Sequence, residues 1–121
     1  MKIKLNENDE LELVYSFRSM LYFEQIQGHA IDYNNFTAND LMVLFYCVFI
    51  ASLQKAKRPV VTMLDFLDII DDNGGEKAIT DFSEWFTDVV TKQFDMVNSL
   101  SDEDKKEEAT KKKKTRVAKN A

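Results

Sequence analysis

The stretch DIIDDNGGEKAITDFSEWF, residues 68–86, brings four aspartates close to a glycine pair, the raw material of a calcium-binding loop. Such a loop wraps oxygen ligands around one cation. It needs side-chain oxygens at its first, third and fifth positions, glycine at the sixth and an acid at the twelfth. With Gly74 at the glycine position, Ile69 falls first and Thr80 last; with Gly75 there, Ile70 falls first and Asp81 last. Either register lacks the opening carboxylate, so the segment reads as a helix end followed by an Asn-Gly turn. The single histidine, His29, and the single cysteine, Cys47, cannot assemble a Cys/His zinc set. Cys47 lies in an apolar run, where a thiol behaves as a small hydrophobe, and His29 follows a glycine in loop or cap position. The glycine pair matches neither a P-loop nor a dinucleotide fingerprint. No nucleophile, base and orienting group can be nominated together, so the expectation is a protein that is not an enzyme, with no metal and no cofactor.

The remaining chemistry is charge. Residues 1–100 carry a net charge of -8 and residues 101–121 a net charge of +3, so body and tail have opposite signs. The basic run Lys111, Lys112, Lys113, Lys114 and Arg116 could touch nucleic acid or an acidic partner. The acidic body would repel phosphate, however, and no aromatic residue lies among those lysines to stack on bases, which argues against nucleic acid. One cysteine allows no internal disulfide and fits a reducing cytoplasm. The N-terminus lacks the apolar core of a signal peptide, and LMVLFYCVFIASL, residues 41–53, falls short of the roughly 18 residues of a membrane helix, so a soluble protein without membrane contact is expected.

The elements that must position these residues follow from periodicity. Ile3, Leu5, Leu11, Leu13 and Tyr15 alternate with Lys2, Lys4, Glu10 and Glu12, and NEND between them supplies a turn, which predicts a β-hairpin. A hairpin alone is marginal in water. Its expected support is a helix from Ser16 or Phe17, presenting Phe17, Met20 and Leu21 and stopped by Gly28. Thr37-Ala-Asn-Asp40 and Thr62-Met-Leu-Asp65 have the form of capping boxes. The helix after Thr37 is apolar almost all round and should be the buried centre, with Pro59 terminating it. The helix after Thr62 has a stripe of Met63, Phe66, Leu67 and Ile70, with Asp65, Asp68 and Asp72 on another side. After Asn73-Gly74-Gly75 a last helix is predicted over 76–100, with Ile79, Phe82, Phe86, Val89, Val90 and Val97 on one face and Trp85, Phe94 and Met96 at its margins. Residues 101–121 cannot bury enough surface to offset chain entropy, so a disordered tail is expected. The fold class predicted is thus mainly α: an N-terminal β-hairpin and about four helices in a compact bundle, as one domain over 1–100, with the charged tail outside it.

The order of these elements carries a resemblance. The hairpin, the pattern F-R-x-x-x-x-F-E-x-x-x-G over Phe17, Arg18, Phe23, Glu24 and Gly28, then T-A-N-D-L with its apolar helix, Pro59 and T-M-L-D-F-L-D-I-I-D-D, resembles the tail assembly chaperones of long-tailed bacteriophages over roughly residues 1–100. The resemblance implies a non-enzymatic protein of the host bacterial cytoplasm, present during tail morphogenesis and absent from the mature virion. Members of such families coat the long helical tape measure protein and recruit tail tube subunits that polymerise around it. A short form is commonly accompanied by a longer one made by translational frameshifting near the end of the short frame. Lys111 to Lys114 are encoded by A-rich codons of the kind on which ribosomes slip, so the position fits a longer product diverging there, weighed against a plain solubilising charged tail.

A holdase must show apolar surface to a helical client. Tyr22, Phe23, Trp85, Phe94 and Met96 are the candidate client or self-association contacts, weighed against a place in the core. Lys111, Lys112, Lys113, Lys114 and Arg116 are the candidate tail contacts. The reading that competes with the chaperone is a small regulatory adaptor whose basic tail binds nucleic acid or an acidic partner.

Overall fold

In the computed structural model the chain is mainly helical behind an N-terminal antiparallel hairpin, and residues 1–93 are described. Its contacts divide it into two units, Met1–Phe86 and Thr87–Ala121. In the second unit residues 87–93 are helical; the tail and the boundary expected at residue 100 lie outside the described residues.

Strands β1 (Lys2–Asn6) and β2 (Asp9–Glu12) pair with Ile3 opposite Leu11 and Lys4 opposite Glu10, and the register shifts between Lys4 and Asn6. The Asn6 side chain accepts the Asn8 N–H at 2.9 Å and so closes the turn. Ile3, Leu11 and Leu13 are buried, as alternation requires, while Lys2, Lys4, Glu10 and Glu12 meet solvent. Opposite the turn's second strand, Arg58 donates to both carboxylate oxygens of Asp9, at 2.5 and 2.6 Å. This fork-to-fork contact holds the carboxyl of Asp9 below the usual carboxylate range.

Helix α1 (Phe17–Gln27) begins at Ser16, whose hydroxyl takes the Ser19 N–H while Ser19 returns the bond to the Ser16 N–H. Gly28, at φ 78°, ends it in the left-handed conformation that a residue with a Cβ adopts only at a cost. Helix α2 (Ala38–Lys55) starts with the full Thr37/Asp40 capping box and is buried along most of its length, as its composition predicts. Helix α3 (Met63–Asp72) forms only the forward half of its box: Thr62 accepts the Asp65 N–H. Gly74 and Gly75, both at positive φ, then turn the chain into helix α4 over residues 76–93.

The core is an aromatic stack around α2. Phe45 lies flat on Phe82 with ring centres 4.2 Å apart and meets Phe66 edge-on at 5.1 Å, and Phe49 adds to Phe66 at 5.2 Å. Phe66 and Ile70 of the stripe predicted for α3 are buried, whereas Leu67 stands at the surface. Tyr15 abuts Phe86 at 5.1 Å.

The orientation of α1 departs from expectation. Its packed face is Ser19 and Phe23, both fully buried, and the face of Phe17, Met20 and Leu21 points outward. Tyr22 and Arg18 reach Gln54 of α2, at 2.6 and 3.4 Å, and tie that side of α1 to α2. Placing Phe17 inward would lose both polar contacts.

Candidate functional site

Three places in residues 1–86 merit a chemical reading: the cleft beside His29, the buried thiol, and the exposed helix faces.

The cleft, of about 760 Å³, is open and lined by His29, Ile31, Tyr33, Asn35, Thr37 and Asp40 among others. Asp40 is the one buried carboxylate among the described residues. Its two oxygens take the Thr37 N–H at 3.0 Å and the Gln27 amide at 2.6 Å, and His29 Nε2 stands 3.8 Å away. These bonds, the Thr37 backbone N–H first, hold its carboxyl below the usual range. A carboxylate so stabilised in its charged form, with its lone pairs occupied by a helix cap, is poorly suited to accept a proton. Its visible work is to fix the loop between α1 and α2.

Cys47 is fully buried in α2, and desolvation pushes its thiol up to about 12. A thiol in that state is neither nucleophile nor ligand at neutral pH. Every buried side-chain nitrogen or oxygen among the described residues has a hydrogen-bond partner, and no group of three or more His, Cys, Asp or Glu side chains there could hold a metal ion. No described helix is long and apolar enough to cross a membrane.

The helix faces are different in kind. Phe17 is 83% exposed, Leu21 56% and Met20 37%, and their i, i+3, i+4 spacing makes one stripe on α1. On α3, Leu64 is 74% exposed with Leu67 beside it one turn on. Large apolar side chains exposed singly are ordinary, but three on one helical turn form a patch of the kind that meets a partner.

Of the residues expected from sequence to make contacts, Tyr22, Phe23 and Trp85 are described. Phe23 is fully buried, 5.8 Å from the His29 ring and 6.5 Å from Phe36, and offers no surface; the core alternative holds for it because α1 turns that side to α2. Tyr22 is half-buried and its hydroxyl donates to Gln54 at 2.6 Å. Trp85 is half-buried with its ring 5.8 Å from Phe82, so part of the indole reaches solvent. Phe94, Met96, Lys111, Lys112, Lys113, Lys114 and Arg116 lie outside the described residues. Sequence reasoning missed Phe17, Met20 and Leu21 as surface residues, because their spacing alone does not say which side of α1 packs.

Comparison with protein-family models, curated proteins and solved structures found no match.

Proposed function

We propose that this chain is a tail assembly chaperone of the long-tailed phage type: a non-enzymatic protein that binds the tape measure protein, keeps it soluble and helps recruit tail tube subunits. On this proposal it works in the host bacterial cytoplasm, is absent from the mature virion, and is accompanied by a longer frameshifted form. The observation that supports the reading is the outward stripe of Phe17, Met20 and Leu21 on a helix whose other side is anchored. A long helical client offers apolar ridges with helical spacing, and an i, i+3, i+4 trio on a rigid helix can pack between them. The two capped ends of α1 hold that stripe without help from the client, so little ordering entropy opposes binding.

The test is capture of clients from phage-infected cells by the tagged full chain at moderate and high salt, with Phe17→Asp and Leu21→Asp beside the wild type. Retention of tape measure protein at high salt by the wild type, and its loss in both variants at unchanged melting temperature, is the expected result. Recovery of nucleic acid that leaves at high salt, without any tail protein, would replace the chaperone with the adaptor.

A further inference from the structure

Helix α3 turns leucines and aspartates to solvent together. At 100° per residue, Leu67, Asp71, Leu64, Asp68, Asp72 and Asp65 follow one another across an arc of about 160°, and all of them are exposed. Phe66 and Ile70 lie on the opposite side, in the core. The helix contains no lysine or arginine. Its aspartates form no ion pair among the described residues: Lys77 is taken by Asp81 at 2.9 Å, and Arg58 by Asp9. The placement of these acids opposes the helix that carries them. Asp68 stands three residues after Asp65 and four before Asp72, like-charge spacings that destabilise a helix. Asp71 and Asp72 occupy the last turn, where the dipole is negative and no basic residue answers it. Local rules broken in this way are expected where a surface has work to do beyond holding the fold.

We infer that this face of α3 is a docking site for a basic amphipathic helix of another protein. Leu64 and Leu67, an i, i+3 pair, make a short apolar ridge that packs against apolar side chains at helical spacing on a second helix. Asp65, Asp68 and Asp72 on its flank, and Asp71 one turn beyond the leucines, then face lysines or arginines of that helix. Charge complementarity selects the occupant: an acidic helix would crowd like charges, a neutral one would leave the carboxylates unanswered, and nucleic acid would be repelled. A second copy of this chain is a poor occupant, because the single cation of α1, Arg18, is already held against Gln54. The apolar ridge is small, so the contact is weak and salt-sensitive. The inference goes beyond the proposed function and needs no phage component. It gives one copy two different grips, the stripe of Phe17, Met20 and Leu21 choosing by apolar shape and the α3 face by charge.

Fluorescence anisotropy tests it with a labelled synthetic helix carrying leucines at i, i+3, i+4 and i+7 and lysines on both flanks, beside the same peptide with glutamate for every lysine. Each is titrated with the full chain, so failure here and failure of client capture from infected cells are separate results. The lysine peptide is expected to bind about tenfold or more tighter than the glutamate peptide at low salt, and to weaken steeply as salt rises. Asp68→Asn with Asp72→Asn should weaken it about tenfold while raising the melting temperature of the free protein, a pair of shifts that loss of a structural role would not give. Leu64→Ser with Leu67→Ser, checked for folding by circular dichroism, should weaken it too, whereas Phe17→Ser with Leu21→Ser should leave it unchanged. Equal binding of the two peptides overturns the inference, as does binding that survives both α3 double variants. Self-association of the wild type that Leu64→Ser with Leu67→Ser abolishes would give the face to a second copy. Tighter peptide binding after replacement of Lys111 to Lys114 by glutamine would give it to the chain's own basic run; either result overturns the inference as well.

Discussion

Replacing Ser52 by alanine removes one oxygen and should cost more than its size suggests. Ser52 is 2% exposed on α2, and its hydroxyl donates to the Val48 carbonyl at 2.7 Å. That leaves a lone pair for the Val14 N–H, which it accepts at 2.8 Å across 38 residues of sequence. The bond pins the corner where the chain leaves the hairpin for α1, at a place only partly open to water. Alanine would leave the Val14 amide without its acceptor, a loss of about 1–3 kcal/mol. Against this, alanine gains roughly 0.5 kcal/mol of helix propensity over serine. The net expectation is about 0.5–2.5 kcal/mol, which for a domain of this size lowers Tm by about 2–20 °C. Thermal and urea unfolding measure the total, and amide exchange at Val14 locates it: protection there should fall in the variant at temperatures where α2 remains protected. A Tm within about 2 °C of the wild type, with Val14 protection unchanged, would show that packing alone holds the corner and would refute the account.

Phe66→Ala should destabilise by about 3–5 kcal/mol, because the ring is fully buried and touches Phe45, Tyr46 and Phe49; chemical denaturation gives the value. Asp9, held low chiefly by the Arg58 guanidinium, and Asp40, held low chiefly by the Thr37 N–H, both contribute stability that is complete above the ordinary carboxylate range. That stability is lost as pH falls through their depressed native values, so unfolding should set in below about pH 4, and Asp9→Asn and Asp40→Asn should each flatten the fall. Cys47, with its thiol pushed up to about 12 by burial, should resist a disulfide reagent in the folded protein and react at the rate of unfolding, followed by thiol release in stopped flow.

Much of this fold was legible where the signal is local. The hairpin showed in strict alternation, the start of α2 in Thr37 and Asp40, and the stop of α1 in Gly28, because each depends on residues within a few positions of one another. What could not be read depends on partners far along the chain. Helix α1 has apolar residues on two faces, and the side that packs is tied by Gln54, some thirty residues away, which receives Tyr22 and Arg18. A buried serine carries no hydrophobic signal, so the larger residues Phe17, Met20 and Leu21 drew the assignment inward. The capping pattern at Thr62 was half right for a related reason: the Asp65 N–H bonds back to the threonine, but the carboxylate does not complete the box. The same holds for the candidate contacts: the face of Phe17, Met20 and Leu21 is open, and for Phe23, weighed between contact and core, the core alternative holds.

Asn73 bears on the order in which the protein comes together. Its side-chain amide donates to the Lys4 carbonyl and accepts the Lys4 N–H, both at 2.9 Å, as a third strand would along the outer edge of β1, and it also donates to the Ile69 carbonyl at 2.8 Å. During translation Lys4 is synthesised 69 residues ahead of that partner. At about 5–20 residues per second the wait is roughly 3–14 s. Over that interval the nascent hairpin keeps an open edge, the kind that recruits strands from other chains. The edge of the first strand is therefore closed only once the end of the third helix has been made.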